Sequence, residues 1–291
     1  MFSVILAFCC IVICFLRIII CMQAFRLPKT LGSERLDTIL NLLSSMRTEK
    51  EVTLDWSNVV EIEPAGLAII SIILDQAIEK ECKIRNVNLS TAFKKLIPQS
   101  FLKIGKQKKL PVPSSHDTIN ETSFFLCCQG GLDLRYKNII EQKFASLDSD
   151  LQFSIQLVFN ELIQNTVDHS TSERYYIYFG LVKDEIHFGV LDMGVSLPAK
   201  MEQKYESEDD VSFLELSLKE GISTRRQRAG GLGLFHTFAM IKNLQGKFVF
   251  MSRAGQIRRY FAQRKVSKSN LKHKLSGTWV MFTFKNPGIE L

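Results

Sequence analysis

Three stretches in the second half of the chain decide its fold: FNELIQNTVDHS (Phe159 to Ser170), LDMGVSLP (Leu191 to Pro198) and RAGGLGLFH (Arg228 to His236). The first lies in a pattern whose apolar positions are Leu151, Ile155, Val158, Phe159, Leu162 and Ile163, the periodicity of an amphipathic helix. On such a helix Glu161 and Asn165, four residues apart, share one face. A carboxylate there can accept a proton from an attacking hydroxyl or water, and an amide oxygen is a hard neutral ligand for Mg²⁺ bridging phosphates. The second stretch closes an apolar strand, Ile186 to Asp192, with Gly194 placed for a tight turn. A buried aspartate there can accept a hydrogen bond from the amino group of adenine. In the third, Gly230, Gly231 and Gly233 precede an apolar helix expected from Leu234 to Leu244. Unpaired N–H groups at its start can receive phosphate oxygens, an anion cradle without a Walker lysine. Singly, each feature is commonplace: a helical Glu and Asn are usually solvated, a strand-ending Asp usually forms a turn, and Gly-Gly-x-Gly is a weak signal. Their order, helix then strand end then loop-to-helix, carries the information.

In that order the stretches resemble the GHKL ATPase domain, the fold shared by gyrase B, the MutL repair proteins, heat-shock chaperones, sensor histidine kinases and anti-sigma factor kinases. The resemblance covers residues from about 125 to 287. It implies ATP and Mg²⁺ as cofactors, Glu161 as general base, Asn165 as Mg²⁺ ligand, and Asp192 with Gly194 as the adenine-reading pair. Gly230, Gly231, Gly233 and Leu234 match the second glycine box, and Gly277 with Thr278 in LSGTWVMFTF match the Gly-Thr near the adenine. His169 sits where anti-sigma kinases also tend to carry a histidine. The stretch GISTRRQRAGG (Gly221 to Gly231) reads as the mobile lid, with Ser223, Thr224 and Arg225 able to meet the terminal phosphates. One departure is Ser196, which stands where the first glycine box normally ends in glycine. Histidine kinases carry Asn where Glu161 stands, and His116 lies in a proline-containing segment without heptads, so a histidine kinase is disfavoured.

The first half alternates strand and helix: a strand ending at Asp55, a turn at Pro64 to Gly66, a helix with Leu67, Ile69, Ile70, Ile72, Ile73 and Ala77, a strand Lys83 to Val87 and a helix Thr91 to Leu96. This resembles a STAS domain, the fold of anti-sigma factor antagonists, through the Leu-Asp-Trp-Ser strand end, the Pro-Ala-Gly turn and the apolar helix after it. Phosphorylatable antagonists carry a serine directly before that glycine. Here Ala65 occupies the place, and a methyl group accepts no phosphoryl group. The expected fold class is therefore α/β: a STAS-like α/β domain, residues 22–103, a linker, 104–123, and a GHKL-type α/β sandwich, 124–291, whose mixed sheet is covered by helices on one face.

With 46% hydrophobic and 23% charged residues, the 291-residue chain can bury two modest cores. The net charge of +7 draws on the run Lys103 to Lys109 and on a basic insertion between Arg253 and Lys274. The insertion reads as a solvated loop rather than as a surface for nucleic acid or an acidic partner. None of the seven cysteines forms a metal or disulfide spacing, which suits reduced thiols. Residues 1–21 are apolar except for Arg17, leaving two readings open: a membrane anchor, or a segment upstream of a true start at Met22. Either places the ATP site in the cytoplasm, in the first case anchored on the cytoplasmic face of the membrane. The expected function is that of an ATP-binding regulatory protein, a serine/threonine kinase of the anti-sigma type acting on a protein partner. A hydrolytic switch and a nonenzymatic ATP-gated interaction module are the alternatives, and whether the chain forms a homodimer is left open.

Overall fold

The computed structural model describes residues 24–96, 117–120, 123–222 and 233–286. Strand β1 (Ala24–Arg26), β2 (Thr30–Leu31), helix α1 (Asp37–Ser45), β3 (Glu51–Asp55), β4 (Glu61–Ile62), α2 (Pro64–Glu79), β5 (Lys83–Val87) and α3 (Thr91–Leu96) form the N-terminal unit. Its strands pair in parallel, as a sheet ordered β1-β3-β5 and a small β2-β4 pair. Proline as the first residue of α2 fits the first helical turn, where no N–H is needed. The strands and helices expected from the sequence in this half form, but the expected turn at Pro64 to Gly66 is instead the first turn of α2.

The C-terminal unit begins with β6 (Asp117–Asn120) and β7 (Ser123–Gln129), so part of the stretch expected as linker supplies an edge strand. Then come α4 (Arg135–Lys143), α5 (Ser149–His169), β8 (Arg174–Val182), β9 (Glu185–Asp192), α6 (Leu197–Met201), α7 (Asp210–Ser217), α8 (Gly233–Asn243), β10 (Lys247–Tyr260) and β11 (Lys265–Lys285). The six strands are ordered β10-β11-β9-β8-β7-β6, and every pairing is antiparallel. The expected mixed sheet is thus corrected. Strands β6–β7, β8–β9 and β10–β11 pair as sequence neighbours, whereas β7 meets β8 across α4 and α5, and β9 meets β11 across an excursion through helices and the β10 strand.

Side chains alternate between the two faces of a strand. On one face Phe124, Leu126, Ile177, Phe179, Phe188, Phe250 and Phe282 pack with α5 residues such as Ile155, Phe159 and Ile163. On the other, Phe125, Tyr176, Tyr178, Leu191, Met251, Trp279 and Met281 share a single apolar cluster with α1 and α2 of the N-terminal unit. The expectation of helices on one face alone is therefore also corrected: α2 lies across β7, β8 and β9, and α1 against β11. The signal was present in near-continuous apolar runs, SFFLCC, RYYIYFGLV and WVMFTF. Antiparallel strands solvated on one side alternate, and strands buried on both sides do not.

Gly180 on β8 shows how close the approach is, because a Cβ there would fall 2.3 Å from Pro64 Cγ at the start of α2. Ala65 beside it is only 1% exposed. Within the contact lies a buried ion pair, Arg174 Nη1 with both Asp75 carboxylate oxygens at 3.2 Å, and the Tyr176 hydroxyl donates to the same carboxylate. Burial holds the Asp75 carboxyl above its usual range, while Tyr176 and Arg174 pull it back.

The basic insertion is not a loop. It is the outer half of the β10–β11 hairpin, registered from Gly255 opposite Asn270 to Tyr260 opposite Lys265. Some of its charges meet acids on either side, while Arg264, Lys265 and Lys272 are exposed as expected. Arg253 bonds Asp210 and Glu202, Lys268 meets Glu215 at 2.7 Å, and Arg258 reaches Glu34 of the N-terminal unit at 2.6 Å. Ahead of the stretch expected as the lid, α7 packs on β10. Cys82 and Cys128 are buried and Cys127 half-buried, all free, and burial pushes the Cys127 thiol up to about 12. Among the described residues no helix is long and apolar enough to cross a membrane, and the apolar segment 1–21 lies outside them.

Replacing Arg174 by methionine strands a buried carboxylate. Urea denaturation is expected to show a single transition, because one apolar cluster spans both units, with stability lower by about 3–5 kcal/mol. A variant as stable as the wild type would contradict the role given to the pair.

Candidate functional site

Helix α5 carries two of the expected residues. It starts where the Asp148 side chain caps the N–H groups of Asp150 and Leu151, each at 3.0 Å, and it buries Leu151, Ile155, Val158, Phe159, Leu162 and Ile163 against the sheet. Glu161, Asn165 and His169 recur at four-residue spacing and are half-buried along one flank. The first residue of α8 lies against that flank: a Cβ on Gly233 would come 2.4 Å from Glu161 Oε2. The structure thus brings Glu161 and Gly233 together, and any side chain at 233 would displace the carboxylate. Leu234 is a partly buried member of the core behind them.

At the far end of α5 the chain meets Asp192, the last residue of β9. Asp192 is 2% exposed. Its Oδ1 accepts from the Ser170 hydroxyl at 2.5 Å and from the Gly194 N–H at 2.9 Å. The Thr278 N–H is a further donor to this carboxylate. Burial raises its pKa to about 6, and these three donors oppose the rise. Two glycines let the backbone close around it. A Cβ at Gly194 would lie 2.0 Å from the Ser170 carbonyl oxygen, and one at Gly277, where φ is +78°, would lie 2.1 Å from the Asp192 carbonyl oxygen.

Ser252 completes the wall. Its hydroxyl bonds the Gly277 carbonyl at 2.7 Å, lies 3.0 Å from Thr278 Oγ1 and accepts from the Leu197 N–H at 2.9 Å. Ser196, the departure from the glycine-box pattern, caps α6 by accepting from the Ala199 N–H. Sequence reasoning missed Ser170 and Ser252 as site residues. Ser170 had a signal, a hydroxyl at the end of the same helix that bears Glu161. Ser252 had none, since a lone serine inside an apolar strand is ordinary.

Of the expected residues, Glu161, Asn165, Asp192, Gly194, Gly233, Leu234 and Thr278 are described. Ser223, Thr224, Arg225, Gly230 and Gly231 lie outside the described residues. Glu161 and Ser170 are nine residues apart, roughly 13 Å along the helix axis, with Asn165 between them. The flank therefore has an acceptor for an amino group at one end and a carboxylate beside a helix start at the other. That chemistry fits a nucleoside triphosphate. Among the described residues no group of three or more acidic, histidine or cysteine side chains could hold a metal. Mg²⁺ does not need one, because it binds through one or two protein oxygens together with phosphates. No model of a known protein family matches the chain, and no curated protein matches it.

Ionised Asp192 is stabilised less in the folded than in the unfolded chain. Its folded pKa of about 6 lies above the usual value near 3.9, so the native state holds more protons between those limits. Its ionisation accordingly costs stability as the pH rises from about 4 to about 6, with no further cost above. Asp192→Asn is expected to gain on the wild type through that window in urea denaturation, and a stability difference independent of pH would contradict the assignment.

Proposed function

We propose that the chain is an ATP-dependent regulatory protein whose C-terminal unit is a GHKL-type ATP-binding domain and whose N-terminal unit is a STAS-like module. The observation that supports it best is the buried Asp192 acceptor, fenced by Ser170, Gly194 and Thr278, at one end of the helix that carries Glu161 against Gly233 at the other. A buried carboxylate with a raised pKa and a fixed set of donors is costly to a fold and is characteristic of a working site.

In this reading Asp192 accepts from the adenine amino group, and the N–H groups at the start of α8 receive phosphate oxygens. Asn165 would hold Mg²⁺ through its amide oxygen, and the ion would neutralise charge on the phosphates. Glu161 takes the proton of a serine or threonine hydroxyl as its oxygen bonds to the terminal phosphorus and ADP departs with the electrons of the broken P–O bond. Thr224 and Arg225 are assigned by the resemblance to the transferred phosphoryl. The acceptor belongs to another protein, because the place of the antagonist phosphoserine holds Ala65, buried at the foot of α2. The N-terminal unit then serves as a docking and regulatory module fixed to its ATPase.

Incubation of the chain with γ-labelled ATP, Mg²⁺ and cell lysate is expected to label a protein. Glu161→Gln should reduce that label by about 10²–10⁴-fold while ATP still binds. Free phosphate without labelled protein would replace the kinase by a hydrolytic switch, and undiminished labelling in the variant would remove Glu161 as the base.

A further inference from the structure

Asp192 could read a base only if its carboxylate is kept both still and ionised. The group that does most to hold it is Ser170, which neither resemblance names. Ser170 is 3% exposed. Its own position is fixed from three sides: its N–H donates to the Thr166 carbonyl at 2.8 Å, its carbonyl accepts from the Val195 N–H at 2.5 Å, and the bare Cα of Gly194 packs over it. The hydroxyl donates to Asp192 Oδ1, which also accepts from the Gly194 N–H. An ionised carboxylate is an acceptor only, and each donor on it favours that form over the protonated one while leaving a lone pair for a ligand.

We propose that Ser170 is a positioning residue that holds Asp192 as a pure acceptor, and thereby makes the site prefer a base with an exocyclic amino group to one with a carbonyl in the same place. This rests on the reading of the site as a nucleotide site. ATP and ITP differ at that position, the amino donor of adenine being replaced by the carbonyl acceptor of hypoxanthine. Ionised Asp192 pairs with the first and repels the second. Protonated Asp192 can donate to the second, so loss of the Ser170 hydroxyl erodes the preference by letting a proton onto the carboxylate closer to neutral pH. The titratable and charged groups flanking Asp192 are Asp168 and His169 at the end of α5, and Arg174 and Tyr175 at the start of β8, with Tyr175 directly opposite in register. Next to it on β11 stand Gly277, Thr278 and Trp279, which do not titrate. Histidine ordinarily titrates in the same range, so the comparison is repeated in a His169→Gln background.

The test measures binding of Mg²⁺-ATP and Mg²⁺-ITP by the full chain from about pH 5 to about pH 8, for wild type, Ser170→Ala and Ser170→Thr. In parallel, the Asp192 carboxyl of the free protein is titrated by carbon NMR, assigned with Asp192→Asn. Ser170→Ala is expected to move the carboxyl midpoint upward by about one pH unit, to weaken ATP about five- to tenfold on the acid side with convergence near pH 8, and to narrow the ATP-over-ITP ratio. Ser170→Thr should restore all three. An unmoved midpoint, or a loss of affinity equal at every pH, would overturn the inference alone, the latter being what a merely structural serine gives. A wild type that binds neither nucleotide would overturn the nucleotide reading, and this inference with it.

Discussion

Everything else in the structure depends on a six-stranded antiparallel sheet that is apolar on both faces. Such a sheet cannot leave either face in water at tolerable cost, since each large side chain buried contributes about 1.5–3 kcal/mol. Helices α4, α5, α7 and α8 cover one side and the N-terminal unit covers the other. The two halves of the chain are therefore not beads on a string. Helix α2 is so apolar that Asp75 and Ser71 are its buried polar exceptions, and Asp75 is answered from the sheet by Arg174 and Tyr176. A buried pair of this kind adds little net stability, but it penalises every docking that leaves one partner alone.

The same packing places the candidate site. Strand β9 ends at Asp192 where α5 ends at Ser170, and the β11 backbone turns past them at Gly277. Arg174 lies four residues beyond Ser170, and Tyr175 stands opposite Asp192 in the β8–β9 register. Ser170 of the candidate site and the residues that grip α2 are thus on one continuous piece of backbone. The β10–β11 hairpin makes a second connection, with Arg258 on Glu34 of the N-terminal unit and Lys268 on Glu215 of α7. The two units are thus joined at two places.

Much of this was legible in the residues. The strand and helix at Lys83–Val87 and Thr91–Leu96 form with the expected bounds, and α8 runs from Gly233 to Asn243, close to the span its apolar pattern gives. Local signals sufficed there, a period of two or of 3.6 bounded by turn residues. The spacing of Glu161 and Asn165 placed both on one flank of α5. What stayed hidden was long-range. The strand pairing of the basic insertion did not show, because the acids that meet Arg253, Arg258 and Lys268 are Glu34, Glu202, Asp210 and Glu215, far away in sequence. The covered second face needed the apolar runs of several strands to be read together. Ser170 gained its importance only when the turn at Gly194 brought Asp192 beneath it.

The most direct measurement is hydrogen–deuterium exchange of the full chain with and without Mg²⁺-ATP. Slowed exchange should appear together in residues 161–170, 191–196 and 277–279, with the α2–β8 contact unchanged because it is formed already. Three stretches distant in sequence would then respond as one site. Exchange that ATP leaves unaltered in all three, or protection confined to other parts of the chain, would contradict it.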